Sequence, residues 1–346
     1  MYLAHYKYAV NLETSVIDDT TVHYFADTYA KVGTKLSYPV QELAKKVRIS
    51  DLPEIDGKVA FILAAGNTNF AGIQPLKSTS SLQYEYIIPA KTITQIFAHQ
   101  EAQYYQNVHL ITVDSSACSS SLHACGLARD LISYRGYARV IILSLEDAIC
   151  PHTLNFFKQA GVKCPDTPSA FDCQNFNFRL SQGAITAIFE REQTGGAIVR
   201  LLDCNSASEE HGNSLGMRAD GQGYVRAMQG LHDLCTQNIT VVKTHGSGTV
   251  VNNIAERAAI ESCFVTRDIV CTSLKPLLGH TLGPSGLLES VYLFEDLVKG
   301  RVPAILNRTE EDRLFLSEDE MYYGGDILSL ASGMGNIFTA ATWELL

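Results

Sequence analysis

Cys118 is the residue of this sequence best placed to act as a nucleophile. It follows an apolar run at residues 108–113 and a turn of small residues, and a helical pattern begins at residue 122. The unpaired N–H groups and the positive dipole end of such a helix favour a thiolate. Small neighbours would also let a substrate carbonyl reach the backbone amides, which could form an oxyanion hole. Taken alone, such a cysteine is more often a buried structural residue in a serine-rich turn.

Two more strand ends carry residues that could handle protons. His245 lies in the segment at residues 244–249 (THGSGT), directly after a second apolar run, and could exchange a proton with the thiol. Residues 273–281 (SLKPLLGHT) follow a third apolar run and present Lys275 and His280 from an irregular turn. The glycine-rich segment lacks the lysine of a phosphate loop and the third glycine of a dinucleotide fingerprint. Taken singly, each histidine is compatible with an ordinary hydrogen-bonded turn.

Short apolar runs alternate with helical patterns along most of the chain. This alternation favours a layered α/β fold with a mixed sheet. An acidic stretch at residues 309–320 is interpreted as a solvated connection. The predicted strands are residues 59–63, 108–113, 140–145, 185–189, 239–243, 269–273 and 337–343, and the predicted helices are residues 122–134, 254–263 and 287–299.

A weak internal repeat suggests a duplicated architecture. Residues 110–113 and 239–242 are both short apolar runs that lead into a polar turn and then into a candidate catalytic residue. The 346 residues allow two domains or one large duplicated unit. We therefore predict an N-terminal half at residues 1–205, which carries the cysteine, and a C-terminal half at residues 206–346, which carries both histidines.

Composition excludes several classes of protein. The chain is 46% apolar and 18% charged, which is typical of a core-forming globular protein and not of a disordered one. Its net charge of −10 makes nucleic acid a poor partner. The nine cysteines are irregularly spaced, with no C-x-x-C pair, so neither a disulfide framework nor a metal site is predicted. No signal sequence or membrane span is visible, and we expect a cytoplasmic protein.

Together, the three segments resemble the β-ketoacyl-acyl carrier protein synthases, the elongating condensing enzymes of the thiolase fold. The family's T-A-C-S-S-G motif corresponds to residues 116–121 (SACSSS), its T-H-G-T-G-T motif to residues 244–249, and its S-x-K-x-x-x-G-H-T motif to residues 273–281. The G-x-x-P-x-x-x-N ending corresponds to residues 300–307. The resemblance begins near residue 59. It implies a duplicated, layered α-β-α-β-α fold with two mixed five-stranded sheets.

The resemblance implies a role for each matched residue. Cys118 would carry the acyl chain, while His245 and His280 would stabilise the enolate that forms when a malonyl group loses CO2. The backbone N–H groups of Cys118 and Met334 would form the oxyanion hole. The supporting residues would be Lys275 and Glu289 beside the histidines, Glu256 in the histidine loop, and Ser247 and Thr249 on the pantetheine arm of the substrate.

The implied reaction is a decarboxylative Claisen condensation in fatty acid, polyketide or polyene biosynthesis, an acyltransferase activity. Family members need no metal or redox cofactor, take their substrates from the phosphopantetheine of an acyl carrier protein, and pair as homodimers or as heterodimers with a related subunit. Two alternatives stay open: a non-condensing partner subunit of the chain-length-factor type, and a cysteine-dependent acyltransferase or thioesterase. By the same resemblance, residues 108–113 would form the dimer interface.

The sequence also departs from the family pattern. The part before the cysteine is short, and residues 177–184 (NFRLSQGA) replace the family's D-G-F-v-x-G-E-G-A. Met334 replaces the usual gating phenylalanine, and Asn253 replaces the usual aspartate after the histidine motif. A local basic patch would be needed to dock an acidic carrier protein. The candidates for it are Arg129, Arg135, Lys158 and Lys163.

Overall fold

Strands and helices alternate along the chain, as its apolar runs predict. The computed structural model describes residues 1–12, 14–17, 20–23, 38–49, 52–66, 108–146, 149, 151–162, 166–172, 177–194, 196–213, 215–232, 238–265 and 268–346. The strands are β1 (Tyr2–Val10), β2 (Thr14–Ile17), β3 (Thr20–His23), β4 (Lys58–Ala64), β5 (Val108–Asp114), β6 (Tyr137–Leu145), β7 (Leu180–Ser181), β8 (Gly183–Glu190), β9 (Val199–Ser208), β10 (Ile239–Lys243), β11 (Val270–Thr272), β12 (Arg301–Val302), β13 (Glu320–Met321), β14 (Asp326–Gly333) and β15 (Ile337–Leu345). The helices are α1 (Tyr38–Lys46), α2 (Ser120–Tyr134), α3 (Pro151–Gln159), α4 (Gln222–Gln229), α5 (Val250–Cys263), α6 (Lys275–Leu278) and α7 (Ser285–Val298), and a 3₁₀ turn spans Ala117–Ser119.

Two groups of five strands have the same order. One group runs β5-β4-β6-β8-β1 and the other runs β11-β10-β14-β15-β9. In each group, the first two pairs in this order are parallel and the last two pairs are antiparallel. The groups join through a single registered pair between β1 and β9, Tyr2↔Arg200. The predicted duplication and its two mixed five-stranded sheets are thus confirmed.

The second group of strands begins at Val199, the first residue of β9. This strand pairs along its length with β15. The predicted boundary after residue 205 falls within β9, and the division of the chain into halves at that residue stays a prediction.

Two helices lie between the sheets and bury most of their side chains. Helix α2 contacts β4, β5 and β6 of the first group and β9 and β15 of the second, and α7 contacts β8 and β14. Phe294 on α7 meets Trp343 on β15 edge-on at 5.2 Å, and Phe189 on β8 stacks 6.4 Å from the same indole. All three are fully buried, and each contributes about 2–3 kcal/mol through the hydrophobic effect. With α1 packed on the first group and α4 on the second, the layers are α-β-α-β-α.

The predicted elements are present, with small shifts at their ends. Helix α2 begins at Ser120 rather than at residue 122, because the Ser121 N–H finds an acceptor in the Gly283 carbonyl of another segment. Helix α7 ends at Val298, and Gly300 beyond it has a positive φ of 79°, which suits a glycine at a helix C-terminus. The strands β1, β9 and β14 were not predicted.

The acidic stretch at residues 309–320 is more than a solvated connection. Phe315 within it is fully buried and stacks on Phe171 with ring centroids 4.0 Å apart. On either side of Phe315, the Leu316 N–H donates to the Cys271 carbonyl at 3.0 Å and the Cys271 N–H donates to the Leu314 carbonyl at 2.6 Å. The interpretation of residues 309–320 as a solvated connection was wrong because the many charged residues of this stretch obscured one buried aromatic residue, Phe315.

Candidate active site

Cys118 sits in a tight turn that serine hydroxyls hold in place. The turn joins β5 to α2, and Ala117 adopts a left-handed φ of 50° just before the cysteine. The Ser119 Oγ donates to the Ser116 carbonyl at 2.7 Å, and the Ser120 Oγ donates to the Ala117 carbonyl at 2.6 Å. These bonds offset the cost of the left-handed residue, about 1 kcal/mol. The serine hydroxyls therefore hold the backbone of the turn that carries the Cys118 thiol.

A second segment completes the cysteine turn. A Cβ on Gly333, at the end of β14, would collide with the Ser116 carbonyl oxygen, so glycine is needed for the two segments to pack. The next residue, Met334, directs its backbone N–H at the Cys118 sulfur. The amide that the sequence assigns to the oxyanion hole is thus in contact with the thiol.

The Cys118 side chain is a neutral thiol near pH 7. Burial raises its pKa to about 12, and the nearby Glu146 carboxylate raises it further, against the opposing effects of Lys275 and of the Met334 N–H. The sequence predicts a thiolate stabilised by the start of a helix, and this prediction is wrong for the site as it stands. Desolvation in the buried pocket outweighs the helix dipole.

His245 is positioned through its own backbone. It follows β10, and the Glu256 carboxylate of α5 accepts hydrogen bonds from the N–H groups of His245 at 2.5 Å and Gly246 at 2.9 Å. The Asn252 side chain donates to the same carboxylate at 2.9 Å. Burial raises the pKa of Glu256, and these three donors lower it. Glu256 therefore closes the histidine loop onto α5.

His280 is positioned by a short bridge to the first half. Its N–H donates to the Arg179 carbonyl at 2.6 Å, and the Ser181 N–H donates to the His280 carbonyl at 3.0 Å. The Phe178 ring meets the imidazole edge-on, with centroids 4.8 Å apart. The histidine thus belongs to the second half in sequence but is held by residues of the first.

Both imidazoles are neutral, and a backbone N–H at each Nδ1 favours the tautomer with its proton on Nε2; in that tautomer the Ser285 Oγ, 2.9 Å from Nδ1 of His280, donates to the same nitrogen. The Ser332 N–H donates to Nδ1 of His245 at 3.2 Å, and the Leu282 N–H donates to Nδ1 of His280 at 3.3 Å. A nitrogen that accepts from a backbone N–H cannot itself carry a proton, which leaves Nε2 as the donor. Burial, followed by the charge of Lys275, lowers the pKa of both histidines well below the usual value. Their ring centroids lie 5.7 Å apart.

A buried ion cluster lies directly behind the histidines. The Lys275 Nζ donates to the His245 carbonyl at 2.7 Å and to the two Glu289 oxygens at 2.8 and 3.1 Å. Lys243, at the end of β10, places its Nζ 3.0 Å from Oε2 of the same carboxylate. All three side chains are almost completely buried. Lys275 therefore ties the His245 loop to α7.

A cavity of about 250 Å³ brings the predicted reactive groups together. Cys118, His245 and His280 share its wall, whereas Glu256, Lys275 and Glu289 lie behind that wall. Apolar residues line much of the rest, among them Phe178 and Phe338. The other predicted site residues that line it are Ser247, Thr249 and Met334.

Sequence comparisons agree with this geometry. Residues 199–309 match the profile of the β-ketoacyl synthase C-terminal domain. The tetracenomycin polyketide synthase ketoacyl synthase alpha subunit of Streptomyces glaucescens is 26% identical over 287 residues, which cover 75% of this chain and 64% of that protein. The 3-oxoacyl-[acyl-carrier-protein] synthase 1 of Escherichia coli K12 is 26% identical over 209 residues, which cover 57% of this chain and 51% of that protein. Residues 199–309 thus belong to this domain family, and the longer alignments show that the chain is similar to β-ketoacyl synthases.

A solved structure shares the fold of this chain. A type II polyketide ketosynthase, in complex with its acyl-carrier protein and bound to a hexaketide, aligns with a TM-score of 0.79 at 19% identity. The alignment covers 100% of this chain and 98% of that chain. By contrast, the chain spans only about half to two thirds of the length of the two curated relatives.

The sequence missed several residues that shape this candidate site. Glu146, at the end of β6, accepts from the Gly283 N–H at 2.8 Å and the Gly66 N–H at 3.2 Å, and so fixes the turn after His280. Lys243 and Phe178 were also not assigned a role. Glu146 and Lys243 are charged residues at the ends of buried strands, and that position was the available signal. Phe178 gave none, because an isolated phenylalanine is ordinary core material.

Three further predictions concern a metal site, a basic docking patch and membrane-spanning helices. Within the described residues, no cluster of histidine, cysteine and acidic side chains could hold a metal ion. Of the basic candidates, Arg129 pairs with Asp203, Arg135 and Lys158 are exposed, and Lys163 lies outside the described residues. None of the described helices has the length and apolar character required to cross a membrane.

Proposed function

We propose that the protein is a β-ketoacyl-acyl carrier protein synthase that performs a decarboxylative Claisen condensation. The observation that carries the proposal is the shared cavity, in which a thiol faces two neutral imidazoles that both offer an Nε2 hydrogen. The same thiol lies against the Met334 N–H. This set of groups suits acyl transfer followed by enolate chemistry.

The first step would load the acyl chain. The Cys118 sulfur attacks the carbonyl of an acyl thioester, the bond from that carbonyl to the pantetheine sulfur breaks, and the thiol proton passes to the departing pantetheine sulfur. The backbone N–H groups of Cys118 and Met334 receive the oxyanion of the tetrahedral intermediate. One donor of this kind contributes roughly 10²–10³ to the rate. Ser247 and Thr249, which line the cavity, would bind the pantetheine arm.

The second step would form and use the enolate. A malonyl thioester loses CO2, and the electron pair of the broken C–C bond becomes an enolate whose oxygen accepts from Nε2–H of His245 and His280. The enolate carbon attacks the acyl thioester of Cys118, the bond from the acyl carbon to sulfur breaks, and the sulfur leaves as a thiolate that takes up one proton from solvent. The thiol and the imidazoles supply every group transfer, so the cycle requires no redox or metal cofactor. Lys275, Glu289 and Glu256 act by positioning the histidines.

Two partners are proposed: an acyl carrier protein, which the reaction requires, and a second subunit, which would pair with the edge strand β5. The substrates would arrive on an acyl carrier protein in the cytoplasm, and the irregular cysteine spacing supports a reducing compartment. Strand β5 ends the ten-strand order, and its Ile111 is 47% exposed. No further strand pairs with β5 on this side within the described part of the chain, and an edge of this kind can pair with a second sheet. We propose that β5 pairs with β5 of a second copy or of a related subunit.

An intact-mass assay tests the function. The protein is incubated with acyl-carrier and malonyl-carrier, and the expected result is an acyl adduct on Cys118 followed by a β-ketoacyl product two carbons longer. Cys118→Ala should abolish the adduct. His280→Ala should retain acylation better than malonyl decarboxylation, because its Nε2–H serves the enolate. Equal loss of both would refute that role.

The same assay separates the alternatives. Absence of any adduct would refute both enzymatic functions and favour a non-condensing partner subunit. Acylation followed only by hydrolysis or transfer would refute condensation and favour a cysteine-dependent acyltransferase or thioesterase.

A further inference from the structure

Lys243 is a buried charged residue that the proposed cycle leaves without a role. It ends β10, two residues before His245, and its side chain is fully buried. Its Nζ lies 3.0 Å from Oε2 of Glu289. A buried ammonium is costly unless it is paired. Its presence so close to the reactive groups therefore calls for a functional account.

Glu289 is shared by two lysines. Lys275 already contacts both of its oxygens, and a carboxylate has enough lone pairs to accept from a second ammonium. Burial lowers the pKa of Lys243 and Glu289 raises it, so the carboxylate stabilises the ammonium form. Glu289 is thus the carboxylate that both buried lysines share.

We propose that Lys243 is a positioning residue for the proposed condensation: with Lys275 it fixes Glu289, and through Lys275 it holds the His245 loop. The Lys243 ammonium also acts on both imidazoles, because its charge adds to burial and to Lys275 in lowering their pKa. This inference rests on the proposed function. The same charge favours the enolate, because the attraction acts through a buried region of low effective dielectric. Lys243 itself lies behind the cavity wall and acts through the histidines.

The expected pH effect has a definite sign. Burial, Lys275 and Lys243 all lower the pKa of His245 and His280, so loss of one ammonium raises it. A higher pKa means that protonation at Nδ1 begins at a higher pH, where it breaks the bonds from the Ser332 and Leu282 N–H groups. The charged and titratable groups around the two imidazoles are Lys243 on β10, Lys275 on α6, Glu289 on α7, Glu256 on α5, Glu146 at the end of β6 and Cys118 in the 3₁₀ turn.

Histidine titration by NMR tests the proposal directly. The Lys243→Met variant removes the charge and keeps an unbranched apolar side chain, and Lys299→Met, at an exposed lysine, is the matched control. His245 and His280 signals are assigned with His→Gln variants. We expect Lys243→Met to raise both histidine pKa values and to move the acidic limb of kcat/KM to higher pH. Unchanged histidine titrations and an unchanged limb would overturn the proposal.

If Lys243→Met folds poorly, a double-mutant cycle of urea-unfolding measurements tests the coupling between Lys243 and Glu289 instead. Glu289→Gln leaves two buried ammoniums without their carboxylate, so it should lower the urea midpoint of unfolding strongly. Adding Lys243→Met to Glu289→Gln should recover part of that loss, and no recovery would overturn the charge coupling. A wild-type protein that forms no condensation product would refute the proposed function, while the histidine titration would still decide what Lys243 does.

Discussion

At the scale of single residues, the Cys118 thiol shows how burial overrides a local signal. The sequence places the cysteine at the start of a helix, where a dipole favours a thiolate. The structure adds burial and a neighbouring Glu146, which together raise the pKa of the thiol to about 12. Attack by this sulfur therefore depends on proton removal at the moment of reaction.

Alkylation of Cys118 should therefore depend steeply on pH. Because the thiolate is the reactive form and the pKa is about 12, the rate with iodoacetamide should rise about tenfold per pH unit between pH 7 and 9.5. Peptide mass spectrometry follows the modified residue. Glu146→Gln should accelerate alkylation at fixed pH, because it removes a negative charge that opposes the thiolate. A rate independent of pH in this range would contradict the assignment.

The sequence predicted the residues that stand in motifs and missed those that act across the fold. Cys118, His245 and His280 have fixed neighbours in the chain, so their spacing carries information. Glu146 acts on Gly283, which lies 137 positions away, and Lys243 acts on Glu289, 46 positions away. Such partners become visible only when the strands are in register.

At the scale of elements, the site depends on a close approach between the cysteine turn and the end of β14. The Cys118 turn and the segment after Gly333 come from different halves of the chain, and the absence of a side chain at Gly333 lets them touch. The Met334 N–H reaches the sulfur as a result. One backbone contact thus assembles half of the proposed oxyanion hole.

Gly333→Ala should damage both stability and acylation. The added methyl meets the Ser116 carbonyl, and we expect a loss of roughly 1–3 kcal/mol in the free energy of unfolding, together with slower adduct formation on Cys118. Gly212→Ala is the matched control, because a Cβ there meets nothing within 4 Å. Urea unfolding and intact mass measure the two effects. Equal behaviour of the two variants would argue against a tight contact at Gly333.

Strands with continuous apolar runs were predictable, and strands with mixed composition were not. Residues 239–243 match β10 in full, since ITVVK is buried on both faces. By contrast, β9 and β14 contain serines, and β9 also contains an aspartate and an asparagine. Their β structure comes from pairing with β15, a tertiary effect that local composition does not reveal.

At the scale of the whole molecule, the order of strands in the two halves is identical, and the sequence hinted at this only through one weak repeat. The strand order depends on which apolar faces pack together, and that information is spread over the chain. The reactive groups lie where the halves meet: Cys118 comes from the first, and His245 and His280 from the second. The exposed edge at β5 is the feature through which a complete molecule could pair.

Ile111→Lys should weaken self-association. A two-fold pairing through β5 would bring the substituted position to the interface from both copies, and we expect Kd to rise roughly tenfold or more. Light scattering after gel filtration measures the mass over a range of concentrations. Val298→Lys, at another exposed apolar residue, is the control. A dimer that survives Ile111→Lys unchanged, or a wild-type protein that is always monomeric, would contradict the proposed self-pairing.

The division of the reactive groups between the halves has a consequence for synthesis on the ribosome. Cys118 emerges well before His245 and His280, and its buried setting also requires Gly333 and Met334, which follow later still. A nascent chain that has not yet reached β14 therefore holds a thiol with no partner imidazole and no oxyanion hole. In the proposed cycle, such a chain could not hold carrier-bound acyl groups in an unproductive adduct, and the site would become reactive only once β14 and Met334 have been made.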